Sequence, residues 1–391
     1  MKHGRFHSVA ILTGCLLVCA ASAQAQEVFV NVAENFLKPA TNIKNLVLEP
    51  RRFQAFDVGI LWQAAETEAA GIYASPRVGI GFSYANLGSL ACVPGSRMGD
   101  SFSIYVRFER AFIQTSSFSA GYDLELGPAL MTHYYDRYTN PDNRLYGGPY
   151  SNHIKMGAFG RLQVGRNLAL RAELNFRHNS AGRIFVPNGG LNSYSCALGA
   201  SYAVGSRTIH PGAHRPEGDP LDRKFRVSVF AAGGVHRCMA EFKADLKLPL
   251  EERQDAYTPW FKGSVGADVI WRYSRRTSTG VQMELHYLSN MEALKRADDI
   301  LFGPGERKYA PLAPGIGIIQ DLYFGSFTAG VGVGAYLFRA FGEHEDHGLL
   351  YQKVGLRYYP PALKRMFAGV AIRAHHFGTA DYIEFSFGTV L

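Results

Sequence analysis

The stretch "NLALRAELNFRH", Asn167–His178, carries the alternation that determines the fold class of this chain. Its apolar residues are Leu168, Leu170, Ala172, Leu174 and Phe176, and they alternate with Arg171, Glu173, Asn175 and Arg177. Side chains that alternate in this way point to opposite faces of a β-strand. The stretch therefore predicts a strand with one apolar face and one charged face.

The same alternation recurs along the whole chain. We identify candidate strands near 28–33, 53–64, 77–88, 101–114, 117–131, 153–165, 167–180, 191–204, 224–236, 259–273, 278–290, 313–324, 326–339, 349–359, 365–376 and 381–391. Many of these segments have the length of a tilted membrane strand, whereas soluble strands are usually about 5–6 residues long. In an outer-membrane barrel the apolar face meets lipid and the polar face lines the lumen. We therefore predict an all-β protein that forms a single transmembrane outer-membrane β-barrel of about 14 antiparallel strands, within a range of 12–16.

The first residues are typical of a cleaved secretory signal, which we predict over residues 1–25. Lys2 and Arg5 precede an apolar run that is too short to cross a membrane as a helix, and small residues with Ala-x-Ala spacing follow it. Residues 26–391 would form the barrel as one domain, with the Pro- and Gly-rich stretch 205–224 as a polar loop, because the strand pattern continues on both sides of it. An exported barrel of this kind is expected in the outer membrane of a Gram-negative bacterium.

The composition argues against several classes of partner. The formal net charge of +8 falls to about +6 without the two basic residues of the signal, and no run of like charges indicates nucleic acid. Cys92, Cys196 and Cys238 lie outside the signal and can form at most one bridge, so disulfides are not the framework of the fold. The spacing of Cys and His residues indicates no metal site, and we predict neither a metal nor a cofactor.

Polar residues interrupt the apolar face near the end of the predicted strand at 167–180. His178 and Ser180 are in register with Leu174, so they are predicted to point towards lipid. Asn192, on the bulky face of the next strand, reaches the same rim. A serine hydroxyl needs a base such as histidine, and a third polar group can fix the imidazole tautomer. The spacing alone also fits polar residues at the headgroup level of a barrel rim, without any chemistry.

The stretch "RHNSAGRIFVPNGGLNSYSCALGASY", Arg177–Tyr202, resembles the core motif of the outer-membrane lipid A deacylase family, whose members remove an ester-linked acyl chain from lipid A. The resemblance implies that His178 is the base and Ser180 the nucleophile. It aligns Asn188 and Gly190 with the Pro-Asn-x-Gly loop of the family. Asn188 is thereby a candidate oxyanion donor and Gly190 a supporting residue.

Two positions depart from the family motif. Asn192 stands where the family has the Glu that orients the histidine, and an Asn can hold a tautomer but offers no negative charge to an imidazolium. Ser180 is followed by Ala-Gly rather than Asn-Ala, which leaves backbone N–H groups and Asn188 to bind an oxyanion. The chain as a whole resembles longer relatives described as acyloxyacyl hydrolase-like, which share a section similar to residues 351–388.

These observations leave three functions open. In the first, an outer-membrane esterase removes an ester-linked acyl chain from lipid A or a related glycolipid; His178 activates Ser180, Asn192 orients His178, and the partners are lipopolysaccharide and the membrane. In the second, a barrel of the same ancestry is not catalytic and acts as a structural protein or a narrow channel. In the third, a secreted or surface β protein binds a lipid or another partner.

Overall fold

The computed structural model describes residues 26–63, 73, 76–204, 224–345, 348–363, 365–376 and 378–391. Their strands form two closed barrels, each of eight antiparallel strands. The first contains β1 (Gln26–Leu37), β2 (Arg52–Gln63), β3 (Arg77–Ala85), β4 (Ser101–Gln114), β5 (Phe118–Met131), β6 (Tyr150–Gln163), β7 (Leu168–Ser180) and β8 (Leu191–Val204). The second contains β9 (Lys224–Arg237), β10 (Pro259–Arg272), β11 (Thr277–Leu288), β12 (Leu312–Phe324), β13 (Phe327–Tyr336), β14 (Leu350–Tyr358), β15 (Met366–His375) and β16 (Thr379–Val390).

Each predicted strand segment overlaps an observed strand, but the prediction of a single barrel of about 14 strands is wrong. β8 pairs with β1 from Gln26 to Leu37 and closes the first barrel, and β16 pairs with β9 and closes the second. The chain accordingly divides into two compact units, and Gly182–Pro187 belongs to the second. Alternation reports how each strand is buried locally, whereas closure depends on which distant strands pair. The predicted signal over 1–25 and residues 205–223 of the predicted polar loop lie outside the described residues.

The wall of the first barrel separates apolar from charged side chains as the alternation predicts. Leu170 and Leu174 on β7 are 51% and 65% exposed, whereas Arg171 and Glu173 between them are 2% and 3% exposed. The apolar side chains therefore face outward and the charged ones face the lumen. The interior of an eight-stranded barrel is just wide enough to be filled by side chains.

An ionic network fills the lumen of the first barrel. Glu173 Oε1 accepts hydrogen bonds from Arg107 Nη2 at 2.7 Å, from Arg171 Nη2 at 3.1 Å and from Asn31 Nδ2 at 3.0 Å. Lys155 Nζ lies 3.7 Å from the second oxygen of the same carboxylate. All of these residues are buried. Buried charges require partners of this kind, and the network occupies the space that a pore would need.

The long connections of the first barrel that the structure describes lie at one end, here called the loop end, where β1, β3, β5 and β7 finish. The opposite end carries short turns at 115–117 and 164–167. Helix α1 (Thr41–Leu46), in the first connection, contributes Ile43 and Leu46 to an apolar cluster that also includes Leu37 and Tyr146. This cluster closes the lumen at the loop end.

The second unit has its own interior and its own helices, α2 (Met239–Asp245) and α3 (Met291–Phe302). Glu284 Oε1 accepts from Arg373 Nη2 at 2.9 Å and from Lys353 Nζ at 3.1 Å inside the barrel. Arg183 is buried in this unit, with its Nη1 3.0 Å from both carboxylate oxygens of Glu345. Among the residues described, no helix is both long enough and apolar enough to cross a membrane.

Candidate active site

A chain of hydrogen bonds joins three polar residues at the loop end of the first barrel. His178 pairs directly with Asn192 across β7 and β8, and its Nδ1 lies 2.7 Å from Asn192 Oδ1. His178 Nε2 lies 2.9 Å from Ser180 Oγ. The structure thus brings together the three residues that the sequence singles out as base, nucleophile and orienting group.

The partner of each imidazole nitrogen determines the tautomer. An amide oxygen can only accept a hydrogen bond, so Nδ1 of His178 carries the proton and donates it to Asn192 Oδ1. Nε2 is then the acceptor for the hydroxyl proton of Ser180. This is the arrangement in which a histidine can take the proton of a serine nucleophile.

The three side chains lie on the outer wall, not in the lumen. His178 and Ser180 follow the exposed Leu174 at steps of two along β7, whereas the intervening Arg177 is buried in the lumen. Ser180 is the last residue of β7 and is itself 8% exposed, with Gly190 of the next connection close to its Cβ. The site therefore lies on the outward side of the wall near the rim, with His178 and Asn192 half-buried and Ser180 buried.

The connection after Ser180 supplies one amide group to the site. Asn188 Oδ1 accepts a hydrogen bond from the backbone N–H of Ala181 at 2.8 Å. The backbone N–H groups of Gly189 and Gly190 donate to the carbonyls of Arg144 and Leu145. These three backbone N–H groups are therefore already engaged with acceptors inside the protein. The Oδ1 atom of Asn188 is engaged by Ala181, but its Nδ2 amide group can still donate a hydrogen bond to a substrate oxygen.

Gly190 supports the site through its lack of a side chain. Its φ of +64° lies in the left-handed region, which favours glycine. A Cβ at this position would lie 3.3 Å from Ser180 Cβ and 3.4 Å from His178 Cε1. Any other residue at position 190 would therefore strain the backbone, and its side chain would press against both Ser180 and His178.

Asn152 on β6 is a site residue that the sequence does not reveal by itself. It pairs with Ser180 across β6 and β7, and its Nδ2 donates to the backbone carbonyl of Ser180 at 3.0 Å. Asn179 Nδ2 returns a hydrogen bond to the carbonyl of Asn152 at 3.2 Å. These bonds fix the end of the strand that carries the nucleophile. The sequence could have revealed Asn152, because counting residues outward from the short turn at 164–167 along both strands places Asn152 opposite Ser180.

The geometry is suited to nucleophilic acyl transfer. The Ser180 hydroxyl, the His178 base and the Asn192 side chain that orients the base are joined by hydrogen bonds. The side-chain amide of Asn188 is hydrogen-bonded to the backbone of Ala181, next to the nucleophile. Among the described residues, no group of three His, Cys, Asp or Glu side chains could hold a metal ion.

Comparison with solved structures gives low overall similarity. The chain is 16% identical to the outer-membrane enzyme PagL over 44% of this chain and 97% of that one, with a TM-score of 0.29. It is 10% identical to the ferric enterobactin receptor PfeA over 90% of this chain and 54% of that one, with a TM-score of 0.26. No curated protein sequence is similar enough to count as a match.

Family models match each barrel separately. Residues 55–201 match the model described as Lipid A 3-O-deacylase (PagL), and this range contains His178, Ser180 and Asn192. Residues 225–390 match the model described as Acyloxyacyl hydrolase, C-terminal domain. The two matches do not overlap, and together they cover most of both barrels. The first barrel is therefore similar to lipid A 3-O-deacylases of the PagL type and the second to the C-terminal domain of acyloxyacyl hydrolases, and the protein is assigned to the outer membrane of a Gram-negative bacterium.

Proposed function

We propose that the protein is a serine-type ester hydrolase that removes an ester-linked acyl chain from lipid A or a related glycolipid. The observation that carries this proposal is the hydrogen-bonded set of Ser180, His178 and Asn192 on the outer wall of the first barrel. A site on that wall takes a substrate that diffuses in the plane of the membrane. The ester of a lipid meets this requirement, whereas a water-soluble ester would have to enter lipid first.

The reaction follows from the positions of the atoms. Ser180 Oγ attacks the acyl carbonyl carbon while its proton moves to Nε2 of His178, and Asn188 Nδ2 donates to the oxyanion. The C–O bond to the sugar then breaks, and Nε2 returns the proton to the departing sugar oxygen. Water then gives a proton to Nε2 of His178 and attacks the acyl carbonyl carbon. The bond from that carbon to Ser180 Oγ breaks, and Nε2 returns the proton to Oγ as the fatty acid leaves. Asn192 holds the tautomer of His178 throughout.

The second open function, a narrow channel, is disfavoured by the interior of the first barrel. A conducting pore needs a continuous water-filled lumen. Arg107, Lys155 and Glu173 occupy that space with side chains that are at most 1% exposed. If the protein is instead a structural barrel of the same ancestry without catalysis, the lipid A composition of the host cells would not depend on Ser180.

The test is mass spectrometry of lipid A from a Gram-negative host with hexa-acylated lipid A. Cells expressing the parent are expected to yield a species lighter by one acyl chain, and cells expressing Ser180→Ala are expected to yield the unmodified spectrum. Both proteins are first shown to reach the outer membrane in equal amounts. An unchanged spectrum for a correctly inserted parent would contradict the proposal. A lighter species with both proteins would exclude Ser180 as the nucleophile.

Asn192 is expected to act only through the tautomer of His178. Asn192→Leu keeps a similar volume but removes the acceptor 2.7 Å from Nδ1, so kcat should fall by about 10²-fold while the Ser180–His178 contact is retained. Asn192→Asp keeps the acceptor and should retain at least the parental kcat. The measurement is initial-rate kinetics with both variants in the same micelles, and equal losses in both would show that the acceptor is not what matters.

A further inference from the structure

A concave surface beside the candidate site points to a second substrate contact on the first barrel. The connection from β1 to β2 and the adjoining strand ends enclose an open pocket of about 280 Å³, here called the β1–β2 pocket. Its lining includes Phe36, Arg51 and Arg52. The backbone N–H of Lys38, in the same connection, donates to the carbonyl of Asn192 at 2.8 Å. The pocket therefore adjoins the strand that carries Asn192.

An aromatic row, formed by Phe176, Tyr194 and Phe36, runs along the outer wall from the candidate site to the pocket. Tyr194 pairs with Phe176, with 5.5 Å between the ring centroids, and it also pairs with Phe36. Phe36 pairs in turn with Arg52 on β2. Phe176 precedes His178 by two residues, so the row lies one step below the candidate site on the same face. Adjacent strands are about 4.8 Å apart, which puts Arg52 roughly 14 Å along the wall from Phe176.

Positive charge is in excess around the pocket, because Arg51 and Arg52 line it and Lys38 lies in the chain between the lining residues Leu37 and Pro39. Lys38 is exposed, and the side chain of Arg52 is 61% exposed with Glu34 Oε1 3.9 Å from its Nε. The carboxylate of Glu49 accepts from Arg51 Nη1 at 2.7 Å and from the Arg51 backbone N–H at 3.1 Å. Glu49 and Arg51 therefore neutralise each other. The pair of Arg52 with Glu34 is long and exposed to solvent, so the charge of Lys38 and part of the charge of Arg52 remain to attract an anion.

We propose that the β1–β2 pocket binds a phosphate group on the headgroup of the lipid whose ester lies at Ser180. This inference rests on the proposed lipid-esterase function. Aromatic side chains favour the membrane–water interface, and the exposed Lys38 and Arg52 lie where a headgroup phosphate would meet them. Lys and Arg form charge-assisted hydrogen bonds with phosphate oxygens. A lipid held at its phosphate has its ester positioned near the nucleophile, which favours attack.

The test compares binding of two lipids that differ only in phosphate. Full-chain protein carrying Ser180→Ala, which leaves the ester intact, is titrated in detergent micelles with bisphosphorylated lipid A and with the same lipid after dephosphorylation. We expect it to bind the phosphorylated lipid at least about 10-fold more tightly, a difference of about 1.4 kcal/mol. Adding Lys38→Glu and Arg52→Glu should abolish this preference. Adding Arg166→Glu, an exposed change in the turn at the opposite end of the barrel, should leave it intact.

Each other result would overturn the inference in a distinguishable way. Equal binding of both lipids by the Ser180→Ala protein would show that phosphate is not recognised. A preference that survives Lys38→Glu/Arg52→Glu would place recognition elsewhere. Binding of inorganic phosphate alone, lost in that variant but without any preference between the lipids, would identify a site for a free anion. The milder Lys38→Gln/Arg52→Gln variant repeats the test if charge reversal prevents folding. Because no ester is cleaved in these experiments, their outcome is independent of catalysis.

Discussion

The variants His178→Ala and Ser180→Ala, and the double variant that combines them, will each hydrolyse the lipid ester at least about 10³-fold more slowly than the parent. The double variant will be no slower than the slower single variant. The reason is that Ser180 Oγ and His178 Nε2, 2.9 Å apart, perform one proton transfer together. Once either partner is lost, the other has nothing left to contribute.

The measurement is fatty-acid release under single-turnover conditions by purified, folded protein in micelles. Ser116→Ala, an exposed serine in the short turn at 115–117, serves as the matched control and should retain the parental rate. Losses that multiply in the double variant would mean that His178 and Ser180 act independently. That outcome would contradict the proposed mechanism even if each single variant were slow.

Glu173→Gln will destabilise the first barrel by about 3–5 kcal/mol. The carboxylate of Glu173 contacts Arg107, Arg171 and Lys155, and the side chains of all four residues are at most 1% exposed. The amide that replaces it has nearly the same shape but no charge. The decrease in the free energy of unfolding therefore reflects the uncompensated positive charge left in the lumen, because the substitution creates no cavity.

The free energy of unfolding is obtained from urea titrations of the protein in lipid vesicles, followed by the mobility shift between folded and unfolded barrels. Glu34→Gln is the matched control, because its side chain is 36% exposed and its ion pair with Arg52 at 3.9 Å is a surface pair worth at most about 1 kcal/mol. A Glu173→Gln protein as stable as the Glu34→Gln protein would show that the network is not needed for stability.

The local structure of the site could be predicted because a strand has a simple period. His178 and Ser180 share the parity of Leu174, so the sequence alone predicts that they lie on the outer face; in the structure they follow Leu174 at steps of two, with His178 half-buried and Ser180 buried. Asn192 could be assigned to the same rim because a single connection joins β7 to β8. The hydrogen bonds that join His178 to Asn192 as donor and to Ser180 as acceptor follow from these placements.

What could not be predicted depends on pairing between distant parts of the chain. The alternation in β1 is the same whether its neighbour is β8 or β16, so it could not reveal two closures of eight strands. The engagement of the Ala181 N–H by Asn188 depends on how the connection folds back, and no periodic pattern encodes it. A signal for the smaller barrel was present nonetheless. Arg107 and Arg171 are long, buried side chains on the inner face of the wall. Such side chains fill the narrow lumen of an eight-stranded barrel, whereas they would leave an open channel in a much wider barrel.

The outward position of Ser180 and His178 has a consequence for how the reaction rate should be expressed. A substrate that reaches this wall by lateral diffusion is counted per unit area of membrane and not per unit volume of solution. Diluting the substrate with inert phospholipid at constant bulk concentration would therefore slow the reaction, whereas adding buffer would not. The appropriate Michaelis constant is a mole fraction in the leaflet, and crowding by other barrels in that leaflet becomes a form of inhibition.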